Sequence, residues 1–118
     1  MTINEIKDRV FENAEKHGFH ENNDFGRSLM LVVSELSEAL EADRNGKWVN
    51  EKYKNLISEN MSNGQFIDIV KGTVEEEIAD AIIRLCDIAG VWGIDLNSYI
   101  KAKMAYNETR PYKHGKRY

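Results

Sequence analysis

The sequence TVEEEIADAIIRLCDIAGVW, residues 73–92, predicts an α-helix that is apolar over most of its circumference. Thr73 is a suitable N-cap with Glu76 three residues later, and Gly93 follows the last residue of the pattern. At about 100° per residue, one broad apolar face is formed by Val74, Ile78, Ala81, Ile82, Leu85, Ile88, Ala89 and Trp92. The acidic residues of this helix, Glu76, Glu77, Asp80 and Asp87, share the narrow remaining sector. This pattern is typical of the core of an all-α bundle.

Three further helical patterns complete the prediction of a four-helix bundle. The first helix is capped by Thr2 and ends at Gly18, and the second extends from Leu29 to about residues 45–46. The fourth is capped by Asp95 and runs to about residue 107.

Two segments lie outside the main helices. Residues 47–72 form an insertion between the second and third main helices, in which 48–59 read as a short helix, SNG as a turn and FIDIV as extended or helical. Residues 108–118 form a short basic tail. The whole chain, residues 1–118, is therefore predicted to be a single domain.

The composition and charge of the chain argue against a membrane-spanning protein and against a nucleic-acid-binding protein. The 118 residues are 42% hydrophobic and 31% charged with a net charge of −4, and no apolar run approaches the roughly 20 residues of a membrane span. The N-terminus does not read as an export signal, so a cytoplasmic location is expected by default. Cys86, the one cysteine, excludes an internal disulfide. The acidic balance and the lack of a nucleic-acid-binding motif argue against a nucleic-acid polymer as partner, although the basic tail suits small phosphates.

A second acidic strip, Glu35, Glu38 and Glu41, lies on the second helix. Residues three apart on a helix are neighbours, so Glu35 with Glu38 and Glu77 with Asp80 form two carboxylate edges. Two carboxylates about 4 Å apart repel by roughly 4 kcal/mol at an effective dielectric constant of about 20. If the edges face each other, a divalent cation removes this repulsion, and an all-oxygen ligand set favours Mg²⁺ or Mn²⁺ over zinc.

The acidic strips also allow two other interpretations, a solvated helix face and a di-iron site. One such motif alone is usually a solvated helix face, and the whole chain would then be a non-enzymatic dimerising or partner-binding helical module. A di-iron bundle requires Glu-x-x-His pairs, and none of His17, His20 and His114 has that spacing to the acidic residues. Two motifs on the two most apolar helices therefore favour a site for a hard divalent cation.

The fourth helix carries polar groups where its apolar face continues. Lys103 and Asn107 follow Leu96 and Ile100 on one face, with Arg110 one turn on. Lys103 can extend its charge to solvent and Asn107 can cap the helix end. As functional groups, Lys103 offers a charge for phosphate oxygens and Asn107 offers a bidentate amide for a base or sugar.

Taken in order, Glu35-Leu-Ser-Glu38, Glu77-Ile-Ala-Asp80 and Lys103-Met-Ala-Tyr-Asn107, followed by TRPYKHGKRY, resemble the MazG-like nucleoside triphosphate pyrophosphohydrolases. The similarity covers about residues 29–117. It implies an all-α fold, assembled as a dimer or a dimer of dimers, that hydrolyses a nucleoside triphosphate to the monophosphate and pyrophosphate with Mg²⁺.

The resemblance also implies roles for individual residues. The metal ligands would be Glu35, Glu38, Glu77 and Asp80. Lys103 and Asn107 would bind the nucleotide. From the expected mechanism, and not from the resemblance, we also expect Arg110 to bind the nucleotide as a positive charge and Glu38 to accept the proton of the attacking water. The segment between the acidic motifs is longer than in the compact version of this family, so residues 47–72 are a candidate lid or subunit contact.

Overall fold

The computed structural model describes residues 1–117, which are all-helical with no β-strand among them. The predicted all-α class is therefore confirmed, while Tyr118 of the predicted tail lies outside the described residues. Five α-helices are present: α1 Ile3–Lys16, α2 Phe25–Arg44, α3 Asn63–Ile69, α4 Val74–Val91 and α5 Leu96–Glu108. Two 3₁₀ helices cover Glu51–Leu56 and Tyr112–Gly115. Within residues 1–117 no helix combines the length and apolar character needed to cross a bilayer.

The predicted helix caps are formed by the expected side chains. Thr2 accepts a hydrogen bond from the N–H of Glu5 at 3.1 Å, and Asp95 accepts one from the N–H of Ser98 at 3.3 Å. The second helix begins earlier than predicted, because Asp24 caps it and residues 25–28 form its first turn. The apolar pattern that starts at Leu29 therefore marks the packed part of α2 and not its first residue.

The segment between α2 and α4 is more helical than its sequence indicates. Ser62 and Gln65 form a reciprocal capping box, so SNG begins α3 instead of making a separate turn, and FIDIV is helical. The predicted helix over residues 48–59 is reduced to the 3₁₀ helix at 51–56. Both ends of the segment are fixed to the start of α4. At the first end, the carbonyl of Lys47 accepts a hydrogen bond from the N–H of Val74 at 2.9 Å, and at the other the N–H of Gly72 donates to Glu76 at 2.9 Å.

Helix α4 lies between α1 and α2 and is antiparallel to both. At one end of the α2–α4 pair the rings of Phe25 and Trp92 are 5.0 Å apart, while Lys47 beyond the other end of α2 meets the start of α4. Helix α1 approaches α4 closely at Gly90, where an added Cβ would lie 2.7 Å from the Phe11 ring. Glycine at this position therefore permits the close packing of α1 on α4.

Helix α5 is attached mainly through its N-terminal end. Asn4 donates to Asp95 at 2.9 Å and accepts from the N–H of Asn97 at 3.2 Å, which joins α5 to α1. No residue of α5 is buried. The compact part of the chain is therefore the α1–α2–α4 unit, and the acidic residues of α2 and α4 lie within it.

Candidate metal centre

Glu35, Glu77 and Asp80 converge where α2 crosses the first half of α4. One carboxylate oxygen from each residue can be chosen so that all three lie within 4.8 Å of one another. Glu35 is buried, and Glu77 and Asp80 are partly buried. The facing of the two acidic edges, which the sequence could only propose, is thus present for these three residues.

Glu38 lies at the rim of this acidic cluster. Its side chain is exposed and does not belong to the converging trio, although it is close enough to Glu77 to affect the pKa of that carboxyl. The other acidic residues of the two strips have different partners. Glu41 pairs with Arg44 at 3.8 Å, Glu76 accepts from the N–H of Gly72 at 2.9 Å, and Asp87 bonds to His20 at 2.7 Å.

Glu77 is the most strongly perturbed member of the cluster. Burial, together with hydrogen bonding and charge repulsion from Glu35 and Glu38, raises the pKa of the Glu77 carboxyl to about 8. Its Oε2 atom is buried and has no hydrogen-bond partner among the described residues. Glu77 therefore holds a proton at neutral pH in the metal-free protein, and this proton offsets charge that a cation would otherwise neutralise.

The other two ligand candidates are shifted in opposite directions. Burial raises the pKa of Glu35, but hydrogen bonds from Arg84, Glu77 and Glu38 outweigh it and hold the pKa below its ordinary value. For Asp80, burial and the nearby charges of Glu35 and Glu76 raise the pKa, which Arg84 partly counteracts. In the metal-free cluster, an ionised Glu35 thus lies beside a protonated Glu77, and the protonation of each depends on the other.

Arg84 is a member of the site that the sequence analysis did not identify. Its Nε donates to Glu35 Oε1 at 2.7 Å, across the α2–α4 contact. A signal was available, since Arg84 lies one turn after Asp80 and two turns after Glu77 on the same side of α4. Arg84 provides the positive charge that keeps Glu35 ionised without a metal.

A cleft of about 820 Å³ opens beside the acidic cluster, between α1, α2 and α4. Glu35, Asp80 and Arg84 form part of its wall, so the acidic residues face a space that is large enough for a small molecule. Basic and apolar residues, among them Arg9, Lys16, Phe19, Leu31 and Ile83, also line the cleft, together with the acidic side chains of Glu12 and Asp87. The cleft therefore combines carboxylates, positive charge and an apolar surface.

The predicted nucleotide-binding residues are Lys103 and Asn107 in α5 and Arg110 in the tail, and their contacts lie within α5 and the tail. Lys103 and Arg110 lie over the Tyr106 ring, at 5.0 Å and 5.3 Å from its centroid, and Arg110 also reaches the carbonyl of His114 at 3.5 Å. The Oδ1 atom of Asn107 is buried without a hydrogen-bond partner in the described part of the chain. None of Lys103, Asn107 and Arg110 lines the cleft, so their role remains a prediction.

Comparisons with known proteins leave the family undetermined. No protein-family model, no curated protein and no solved structure matches this chain.

The donor set fits a hard divalent cation. The converging ligands are carboxylate oxygens, which Mg²⁺ and Mn²⁺ prefer. Softer donors are used elsewhere, because Cys86 is a buried free thiol and His20 is bonded to carboxylates outside the cluster. The unpartnered Oε2 of Glu77 is a buried acceptor that a cation would satisfy.

Proposed function

We propose that the protein is a Mg²⁺-dependent nucleoside triphosphate pyrophosphohydrolase of the MazG-like kind. The observation that carries this proposal is the convergence of Glu35, Glu77 and Asp80, two of which, Glu35 and Asp80, line a cleft. The ordered ExxE, ExxD and KMxxN motifs support the choice of nucleoside triphosphates as the substrate class.

Glu35, Glu77 and Asp80 would hold the metal, with Glu38 joining them or acting beside them at the rim. When bound, Mg²⁺ supplies positive charge for the triphosphate oxygens and makes a coordinated water more acidic. Glu38 accepts the proton of the water that attacks the α-phosphorus. The bond between the α-phosphorus and the bridging oxygen breaks, so that nucleoside monophosphate and pyrophosphate leave.

The cleft supplies the remaining contacts of the proposed substrate. Arg9 and Lys16 add positive charge for phosphate oxygens on the α1 side, while Phe19 and Ile83 provide an apolar surface for the nucleoside. We also propose nucleotide contacts for Lys103, Asn107 and Arg110. Only the sequence supports these contacts, because none of the three residues lines the cleft.

Pyrophosphate release tests this proposal directly. Purified protein incubated with Mg²⁺ and a panel of normal and modified nucleoside triphosphates is expected to release pyrophosphate and the monophosphate in equal amounts, and to stop when a chelator is added. Release of orthophosphate instead, or equal release with and without Mg²⁺, would contradict it.

An exposed apolar face on α2 and α4 supports the proposed homo-oligomer. The stripes are spaced three and four residues apart, and because the two helices are antiparallel they lie on the same side of the pair. Their exposed members are Leu29, Val33, Leu36 and Leu40 on α2, and Ile78, Ile82 and Leu85 on α4. A water-exposed apolar face of this length is typical of a protein interface.

The surface area of the single chain agrees with such an interface. A compact monomer of 13.6 kDa is expected to expose about 6,600 Å², whereas this chain exposes 9142 Å². The excess of about 2,500 Å² equals the upper end of the roughly 1,000–2,500 Å² that each partner buries in an obligate homodimer. We therefore propose that a second copy of the chain covers the α2–α4 face.

Mass measurement tests the dimer. Wild-type protein is expected to sediment at twice 13.6 kDa or a larger even multiple. Ile82→Glu, which places a charge in the middle of the face, is expected to shift the equilibrium to single chains, since Ile82 is 47% exposed without a partner. Ile67→Glu on α3 is the matched control, because Ile67 is also exposed but lies outside the face. A monomeric wild-type protein would overturn this assignment.

A further inference from the structure

His20 is held between two carboxylates that do not belong to the acidic cluster. Its Nε2 bonds to Asp87 of α4 at 2.7 Å, and its Nδ1 bonds to Glu15 of α1. His20 belongs to the connector of residues 17–24 between α1 and α2. The ring therefore joins the connector to two helices at once.

The surroundings of the ring make these bonds strong. The side chain of His20 is 8% exposed, and its ring lies 4.7 Å from that of Phe11. Burial lowers the pKa of the imidazole, but the hydrogen bonds and charges of Asp87 and Glu15 outweigh burial and raise the pKa above 6.5. The two carboxylate acceptors, a mostly buried Asp87 and an exposed Glu15, stabilise an imidazolium between them.

We propose that His20 is a pH-dependent latch that fixes the 17–24 connector to α1 and α4, and with it one wall of the cleft. The wall in question includes Phe19, the neighbour of His20, and Asp87, its partner. This latch does not depend on the proposed hydrolase activity, because its residues are not in the acidic cluster.

The two protonation states differ in how many carboxylates the ring can satisfy. An imidazolium donates through both nitrogens, to Glu15 and to Asp87, whereas the neutral ring has one N–H and must leave one carboxylate facing a nitrogen lone pair. Glu15 from α1 and Asp87 from α4 are the charged groups that bond to the ring. Arg84, one turn earlier on α4, bonds to Glu35 instead.

The sign of the effect follows from the raised pKa. Since the folded protein binds this proton more tightly than the unfolded chain, the latch contributes its full stability below pH 6.5 and loses it as the pH rises through the higher value in the folded state. Release removes the side-chain bonds that join the connector to α1 and α4. The connector then keeps only backbone bonds such as that from the Phe19 N–H to the Ala14 carbonyl at 3.1 Å, which are expected to open more often.

Imidazole NMR and amide hydrogen exchange together test the latch in the full-length protein. In an NMR titration, the His20 ring is expected to change from imidazolium to neutral imidazole at a pH above the ordinary histidine pKa of 6.5. The protection factor of the Phe19 amide is expected to fall by about tenfold or more between about pH 6 and about pH 9, while that of Ile88 in α4 changes less.

Two variants separate the latch from a general effect of pH. His20→Gln is expected to leave the Phe19 amide weakly protected at every pH. His17→Gln, which removes an exposed ring bonded to the Asn13 carbonyl, is expected to keep the wild-type profile. A His20 ring that titrates at or below its ordinary pKa, or protection of Phe19 that does not change with pH, would overturn the proposal. The wild-type titration decides the matter even if His20→Gln does not fold.

Discussion

Replacing Glu77 by Gln is expected to abolish Mg²⁺-dependent pyrophosphate release while leaving the metal-free fold at least as stable as that of the wild type. The carboxyl of Glu77 has a pKa raised to about 8, so it is already protonated at neutral pH. Glutamine has the same shape and no charge, and it also cannot repel Glu35 and Glu38. The substitution therefore keeps the contacts of the metal-free state and removes a ligand from the metal-bound state.

The expected loss of activity is larger than about 100-fold, because changes in residues that only support a ligand already cost about 10–100-fold. The matched control is Glu41→Gln on α2, which removes a carboxylate of the same strip that pairs with Arg44 at 3.8 Å. Glu41→Gln is expected to retain wild-type activity. Activity of Glu77→Gln within a few-fold of the control, in folded protein, would remove the acidic cluster from the mechanism.

The stability of the metal-free protein is expected to fall as the pH rises from about 4.5 to about 8. In this window the folded state keeps the proton of Glu77, whose ordinary value is 4.5, while the unfolded chain releases it. The contribution is therefore complete below pH 4.5 and disappears as the pH passes through about 8. Asp80 has a raised pKa and adds to the same trend.

Mg²⁺ is expected to oppose this loss, because the cation replaces the proton of Glu77 as the partner of the other carboxylates. At one hundred times its dissociation constant, a bound ligand raises the free energy of unfolding by about 2.7 kcal/mol. The Mg²⁺ effect is expected to be larger at pH 8 than at pH 6, and binding at neutral pH releases a proton.

Urea unfolding at several pH values, with Mg²⁺ or with a chelator, measures both effects. The difference between wild type and Glu77→Gln isolates the Glu77 contribution from that of His20, which titrates in an overlapping range. If Mg²⁺ and Mn²⁺ leave the urea unfolding curve unchanged at every pH, the metal centre is contradicted. This result is the one expected of a non-enzymatic helical module with solvated acidic faces.

The local features of the fold were accessible from the sequence. Thr2, Thr73 and Asp95 cap helices as predicted, because a capping bond involves residues only three apart. Helical periodicity also indicated which acidic residues share an edge, and Glu35, Glu77 and Asp80 do converge. Glu38 shows the limit of this reasoning, since spacing alone does not tell a ligand from a rim residue.

Features set by contacts between distant residues were not accessible. The bonds of Arg84 with Glu35 and of His20 with Asp87 join residues 49 and 67 positions apart, and no local pattern specifies such pairs. The predicted start of α2 at Leu29 was wrong, because Asp24 caps the helix and lies before the first residue of the apolar pattern. Periodicity likewise marked Leu36 and Ile82 as apolar without indicating that a single chain leaves them exposed.

The order of the ligands along the chain has a consequence for folding. Residues 36–76 separate Glu35 from Glu77, so this long loop must close before their carboxylates can meet. A fragment that ends before α4 contains only Glu35 of the converging trio, so on the proposed function it would not hold the ion. Affinity for a divalent cation would then arise only after α4 has docked on α2, which would make cation capture a late event in the maturation of the protein.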